Sequence, residues 1–168
     1  LFVTEERDTT RVFIGRDASC SGIQILSSVI GDLKAMEFTN VIPSDAPQDA
    51  YGEVARVARD LLRDPVWLKD QLDARQEKND AWNAKNPDRL REPRSIFEFD
   101  PDQLDRSVLK TCVMVTGYGG TYLSKREYIL EALDDKGLEI HPADRSIIIN
   151  ACIQGMDQAF PEYKQLNN

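Results

Sequence analysis

The chain has 168 residues, of which 41% are hydrophobic, and a formal net charge of −8. It is long enough for one domain with a core, and its acidic balance argues against a broad nucleic-acid surface, which needs clustered Lys and Arg, though not against a few cations gathered on one element. No apolar run reaches membrane-spanning length and no signal peptide is visible; Cys20, Cys112 and Cys152 have no CxxC spacing and His141 is the single histidine, which argues against zinc and for reduced thiols.

Val12, Phe13 and Ile14 before Gly15 predict a strand over 11–16. "DASCSG", residues 17–22, follows, and a helix is expected over 19–35 from the spacing of Ile23, Leu26, Ile30 and Leu33, with Ser19 or Ser21 as its cap. After the loop "TNVIPSDAPQD", Ser44 or Asp45 is the expected cap of a helix over about 46–63 that buries Tyr51, Val54, Ala55, Ala58, Leu61 and Leu62. The acids Asp45, Asp49, Glu53, Asp60 and Asp64 read as its solvated face. A further helix is expected over 66–85, anchored by Trp67 and Trp82, and then an exposed connection, "NAKNPDRLREPRS". Helix resumes near Asp100–Asp102 and is broken by the glycines of "TGYGGT" at about Gly117; more follows over 124–135 and 143–160. Val108, Val113 and Met114 read as core, and Cys20 and Cys112 as small buried hydrophobes. The pattern is mostly helical with one or two strands, an α+β chain.

Two stretches carry chemistry. Small residues after Asp17, at a strand-to-helix junction, let something large come close to the backbone beside an acid. In "RSVLKTCVMVTGYGG", Arg106, Lys110, Met114 and Tyr118 recur every four residues, so they drift slowly round one side of a helix. Lys110 and Tyr118 then stand about 12 Å apart along the axis, comparable to the reach from the phosphates of a nucleoside triphosphate to its ribose. Two cations one turn apart suit phosphates, an aromatic hydroxyl suits the sugar, and glycines let a base pair approach.

"DASCSGIQ", 17–24, resembles the first catalytic motif of the single-subunit, phage-type and mitochondrial DNA-directed RNA polymerases. "RSVLKTCVMVTGYG", 106–119, resembles their second motif, on the fingers helix, and the linking "PSDAPQDAYGEVA" is similar to the segment between them. The resemblance covers roughly Val12–Ala58 and Arg106–Gly120. It implies a palm and fingers fragment of a right-hand polymerase fold, with a palm segment over 1–45, a helical connection over 46–105 and fingers helices over 106–168. It implies template-directed ribonucleotide transfer by a two-magnesium (Mg2+) mechanism, with Asp17 a ligand of both ions and the Ala18 carbonyl helping. Arg106 and Lys110 bind the triphosphate, Tyr118 sits beside the ribose and the templating pair, and Gly22 and Gly119 give clearance. The implied partners are a DNA template, the RNA product, ribonucleoside triphosphates and the rest of the polymerase, with no membrane. The implied setting is the cytoplasm of an infected bacterium for a phage enzyme, or the mitochondrion.

This sequence departs from the family in several places. Ala18 stands where the motif has Gly, Ile25 where it has His, and Tyr122 lies one position early for a following aromatic. No His-Asp motif supplies a second metal-binding aspartate, so the chain alone is expected to be inactive. Two other readings stand beside this one. An A-family DNA polymerase shares an Asp motif and a Lys-to-Tyr spacing of eight, but places Glu where this chain has Gly22. A non-catalytic helical interaction domain is the other.

Overall fold

A computed structural model describes residues 21–162. The strand expected over 11–16, the cap Ser19, and Asp17, Ala18 and Cys20 lie outside the described residues, which contain helix and no strand.

The first helical pattern divides in two. α1 (Ser21–Ile30) ends where Gly31 takes a φ of +74°, a region open to glycine at little cost. Asp32 then starts α2 (Leu33–Phe38), its carboxylate accepting from the Ala35 amide at 3.0 Å. The apolar spacing alone runs on past this Gly-Asp junction, so the continuous helix expected to residue 35 is corrected. α3 (Ala50–Arg63) begins at Asp49, which accepts from the Tyr51 amide at 3.2 Å, rather than at Ser44 or Asp45. Those two lie in a loop closed by Asn40, whose side chain accepts from the Gln48 amide at 2.7 Å and donates to its carbonyl at 2.9 Å. α4 (Pro65–Lys85) has proline at its first position and Asp64 as its cap. A 3-10 turn at Pro101–Gln103 precedes α5 (Arg106–Thr116). α6 (Tyr122–Asp135) and α7 (Pro142–Ala159) complete the described chain. His141 caps α7, its Nδ1 accepting from the Ala143 amide at 3.2 Å.

One hydrophobic core runs from Ile23 on α1 through Val54 and Ala58 on α3 to Val108 and Leu109 on α5 and Ile148 on α7. α3 and α7 share its most extensive packing. Gly155 permits it: a Cβ there would stand 3.1 Å from the Val54 carbonyl oxygen and 3.2 Å from the Ala58 nitrogen. Val108 and Val113 are buried as expected. Met114 is 40% exposed, because the buried stripe of α5 runs through Val108, Leu109, Cys112, Val113 and Thr116 and leaves it outside. Cys112 is buried, and burial pushes its thiol up to about 12. Trp67 packs on the core, its indole donating to Gln154 at 2.8 Å. Trp82 does not. It is exposed, lies under the Arg91 guanidinium at 4.1 Å from the ring centroid, and so anchors the connection after α4 rather than the core.

That connection has no secondary structure through residue 100, yet it is tied down by a buried charge cluster. Arg75 on α4 donates to Asp144 on α7 at 2.8 Å, with side chains 9% and 3% exposed. Arg75 also donates to the carbonyls of Ala143, Arg94 and Ile96. The other Asp144 oxygen accepts from Arg94 at 3.2 Å and from the Glu98 amide at 3.4 Å. Removing one partner of such a pair strands the other charge in a poorly solvated site. Asp144→Ala is therefore expected to lower unfolding free energy by about 3–5 kcal/mol in urea titrations; a loss below about 1 kcal/mol would mean the cluster behaves as a solvated surface pair.

Candidate active site

The site is organised by the two ends of α5. At its start, one Asp105 oxygen accepts from the Ser107 amide at 2.9 Å and the Ser107 hydroxyl at 2.6 Å, and the other meets the Lys136 ammonium at 2.5 Å. Partial burial raises the Asp105 carboxyl, but the bonds from Lys136 and Ser107 outweigh it and hold the group at about 2. This cap fixes the first turn, where Arg106 is the first helical residue. The Arg106 Nε lies 2.9 Å from an Asp49 carboxylate oxygen, and its guanidinium carbon lies 5.0 Å from the Tyr51 ring centroid. A cleft of about 270 Å³ opens between Phe38–Asn40, Gln48–Tyr51 and this arginine. Lys110, one turn along, is exposed.

At the other end, α5 stops at Thr116, with Gly117 as its cap. The Tyr118 amide donates to Val115 at 3.0 Å and the Gly120 amide to the same carbonyl at 2.9 Å, so the chain doubles back over the last helical turn. A Cβ on Gly120 would stand 2.8 Å from the Val115 oxygen, and Gly119 has a φ of +77°. Tyr118 is thus on an exposed turn and not on the helix. The helix that carries Lys110 ends at Thr116, and Tyr118 follows it on the turn that the glycines form.

Gly22 on α1 is buried directly against this end. A Cβ on Gly22 would lie 3.0 Å from the Gly117 backbone, and a Cβ on Gly117 would lie 2.9 Å from the Gly22 backbone. The two sequence motifs therefore meet backbone to backbone, one residue from Tyr118. The room that glycine leaves at position 22 is taken by the Gly117 backbone at the end of α5. Gly119 has open space around its Cβ position.

Asp17 and Ala18, expected to hold metal, lie outside the described residues, among which no group of three His, Cys, Asp or Glu is placed to hold a metal ion. Sequence reasoning brought out Arg106, Lys110 and Tyr118. It missed the contact of Asp49, read as part of a solvated acidic face, with Arg106, and the cap Asp105; Gly117 was read as a helix breaker and not as the partner of Gly22. The signal available for Asp105 was an acid directly before the helical pattern, followed by Ser107.

Asp105→Ala is expected to cost about 0.5–2 kcal/mol near neutral pH, as for other helix caps. The Asp105 carboxyl is depressed from 3.8 to about 2, so its contribution is present above 3.8 and lost as pH falls toward 2. Denaturation of both proteins from pH 6 downward, on the order of one unit per step, should show the gap closing below the ordinary carboxylate range. A gap independent of pH would mean that the charge of Asp105 contributes nothing.

A family model described as DNA-dependent RNA polymerase matches residues 4–167. The mitochondrial DNA-directed RNA polymerase of Schizosaccharomyces pombe is 29% identical over 122 residues, covering 73% of this chain and 8% of that protein. The chloroplastic DNA-directed RNA polymerase 3 of Nicotiana sylvestris is 31% identical over 125 residues, 74% of this chain and 11% of that protein. The mitochondrial DNA-directed RNA polymerase 1 of Arabidopsis thaliana is 26% identical over 132 residues, 79% of this chain and 12% of that protein. The chain thus spans about a tenth of the length of these relatives.

Proposed function

This chain belongs to the DNA-dependent RNA polymerase family, and from that premise we propose that it forms the palm-to-fingers part of a nucleotide-addition site, acting with the rest of a longer polymerase. The observation that carries this reading is the backbone contact of Gly22 with Gly117. Motifs nearly a hundred positions apart along the chain approach at one point, as a shared substrate requires. In this reading, 1–45 is palm, 46–105 a helical connection and 106–168 fingers, within an α+β right-hand fold. The organellar names of the relatives are compatible with a mitochondrial setting.

Each residue has a definite task. Arg106 and Lys110 bind the triphosphate of a ribonucleotide: a guanidinium offers several donors in one plane and an ammonium a compact charge. Their charges also oppose the negative charge that develops as the phosphorus–oxygen bond breaks. Tyr118 lies beside the ribose and the template pair, on a turn kept in place by Gly117, Gly119 and Gly120. Gly22 lets that turn close on α1. Asp17, with the Ala18 carbonyl, is an oxygen donor set suited to magnesium, which prefers oxygen ligands. When bound, the ion would lower the pKa of the attacking hydroxyl and neutralise phosphate charge. DNA template and RNA product are the further partners in this reading.

In the intact polymerase, Asp17→Asn is expected to lower turnover by on the order of 10³-fold or more while leaving thermal unfolding unchanged. Near-normal primer extension by that variant would remove Asp17 from the site. Lys110→Ala loses a charge-assisted bond and should reduce kcat/KM at least about tenfold; unchanged kinetics would return Lys110 to the solvated surface.

Tyr118→Phe deletes one hydroxyl and keeps the ring. A site that pairs a substrate hydroxyl rejects the analogue lacking it, because its own polar group is left unpaired. Removing the tyrosine hydroxyl should therefore raise use of deoxyribonucleotides relative to ribonucleotides, read as the ratio of kcat/KM for the two sugars. An unaltered ratio would mean that sugar choice is made elsewhere.

A further inference from the structure

We infer that Asp49 is an internal counter-anion for Arg106, occupying this guanidinium until the triphosphate of an incoming nucleotide replaces it. The inference rests on the proposed role of Arg106 in binding triphosphate.

Three observations converge on Asp49. Its two oxygens are divided between two tasks: one caps α3 through the Tyr51 amide at 3.2 Å, and the other lies 2.9 Å from the Arg106 Nε. The pair is loose. Its side chains are 54% and 43% exposed, so an arriving anion can reach the guanidinium. Arg106 also rests against the face of Tyr51, so it stays at the cleft whichever anion it serves.

The third observation is Gly52. Glycine in the first turn of α3 costs about 1 kcal/mol of helix propensity relative to alanine. A Cβ at that position would stand 2.8 Å from the same Asp49 oxygen that faces Arg106. The glycine leaves the seat in which that carboxylate rests.

An exposed ion pair is weak, so a triphosphate with several charges displaces it readily. Asp49 nonetheless opposes nucleotide binding, by competing for the guanidinium and by repelling the phosphates. A competitor of this kind keeps the arginine aimed at the cleft before nucleotide arrives and aids departure of the pyrophosphate product.

The experiment uses the intact polymerase and ribonucleoside triphosphates, with KM and kcat measured on one template. Asp49→Asn preserves the cap, since Asn caps helices as well as Asp, and should lower KM about two- to fivefold with little change in kcat. Gly52→Ala should shift KM in the same direction, because its Cβ would stand 2.8 Å from the Asp49 oxygen that faces Arg106 and displace it. In an Arg106→Ala background, Asp49→Asn should have no further effect. A raised or unchanged KM in Asp49→Asn overturns the inference, as does an effect that persists without Arg106. If Arg106→Ala itself leaves KM unchanged, the phosphate role of Arg106 falls, and the inference with it.

Discussion

Gly155 lacks a side chain, and α3 uses the space. With the Val54 carbonyl and the Ala58 amide about 3 Å from where a Cβ would be, α3 and α7 leave no room for a side chain at that position. That approach fixes α3, and α3 in turn carries the buried face that receives α5. The start of α3 presents Asp49 and Tyr51 to Arg106, and the end of α5 meets α1. The position of the arginine is thus set at one remove by a glycine on a helix that contributes nothing to the cleft. Close packing transmits such a constraint because interiors have few voids in which to absorb a shift.

Much of this was legible in the chain. α3, α4 and α7 were located to within a few residues: α3 buries one regular apolar stripe, and α4 and α7 each begin at a proline. Apolar spacing failed at Gly31-Asp32, where a left-handed glycine and a capping acid reset the helix while the spacing carries on. It failed again at Met114, since an apolar residue beside a buried stripe looks the same in sequence as one within it. Local chemistry chose Asp49 over Ser44 and Asp45 as a cap, and that choice depended on the Asn40–Gln48 bonds that close the loop, which no short window contains.

The site was legible as residue types but not as arrangement. Arg106 and Lys110 stand out by charge and Tyr118 by its glycines. Their geometry depends on contacts made over long separations, Gly22 with Gly117 and Arg106 with Asp49. The space that Gly22 leaves is taken by the Gly117 backbone, a use that the letter alone does not show. Asp49 was hidden for a different reason: the acids of this stretch are mostly exposed, Glu53 and Asp60 pair with Arg56 on their own helix, and only Asp49 of the five reaches a cation on a distant one.

The connection after α4 is fastened at two places. Near its start, the Asn83 amide group accepts from the Arg91 nitrogen at 2.8 Å and donates to the Arg91 carbonyl at 3.0 Å. Further on, Arg75 gathers the carbonyls of Arg94 and Ile96. The residues 86–90 between the end of α4 and the first fastening form a closed excursion whose ends are held independently of its length. Doubling a flexible loop costs only about 0.6 kcal/mol. This tip can therefore accept inserted sequence, or a grafted peptide or label, while the helices on either side keep their places.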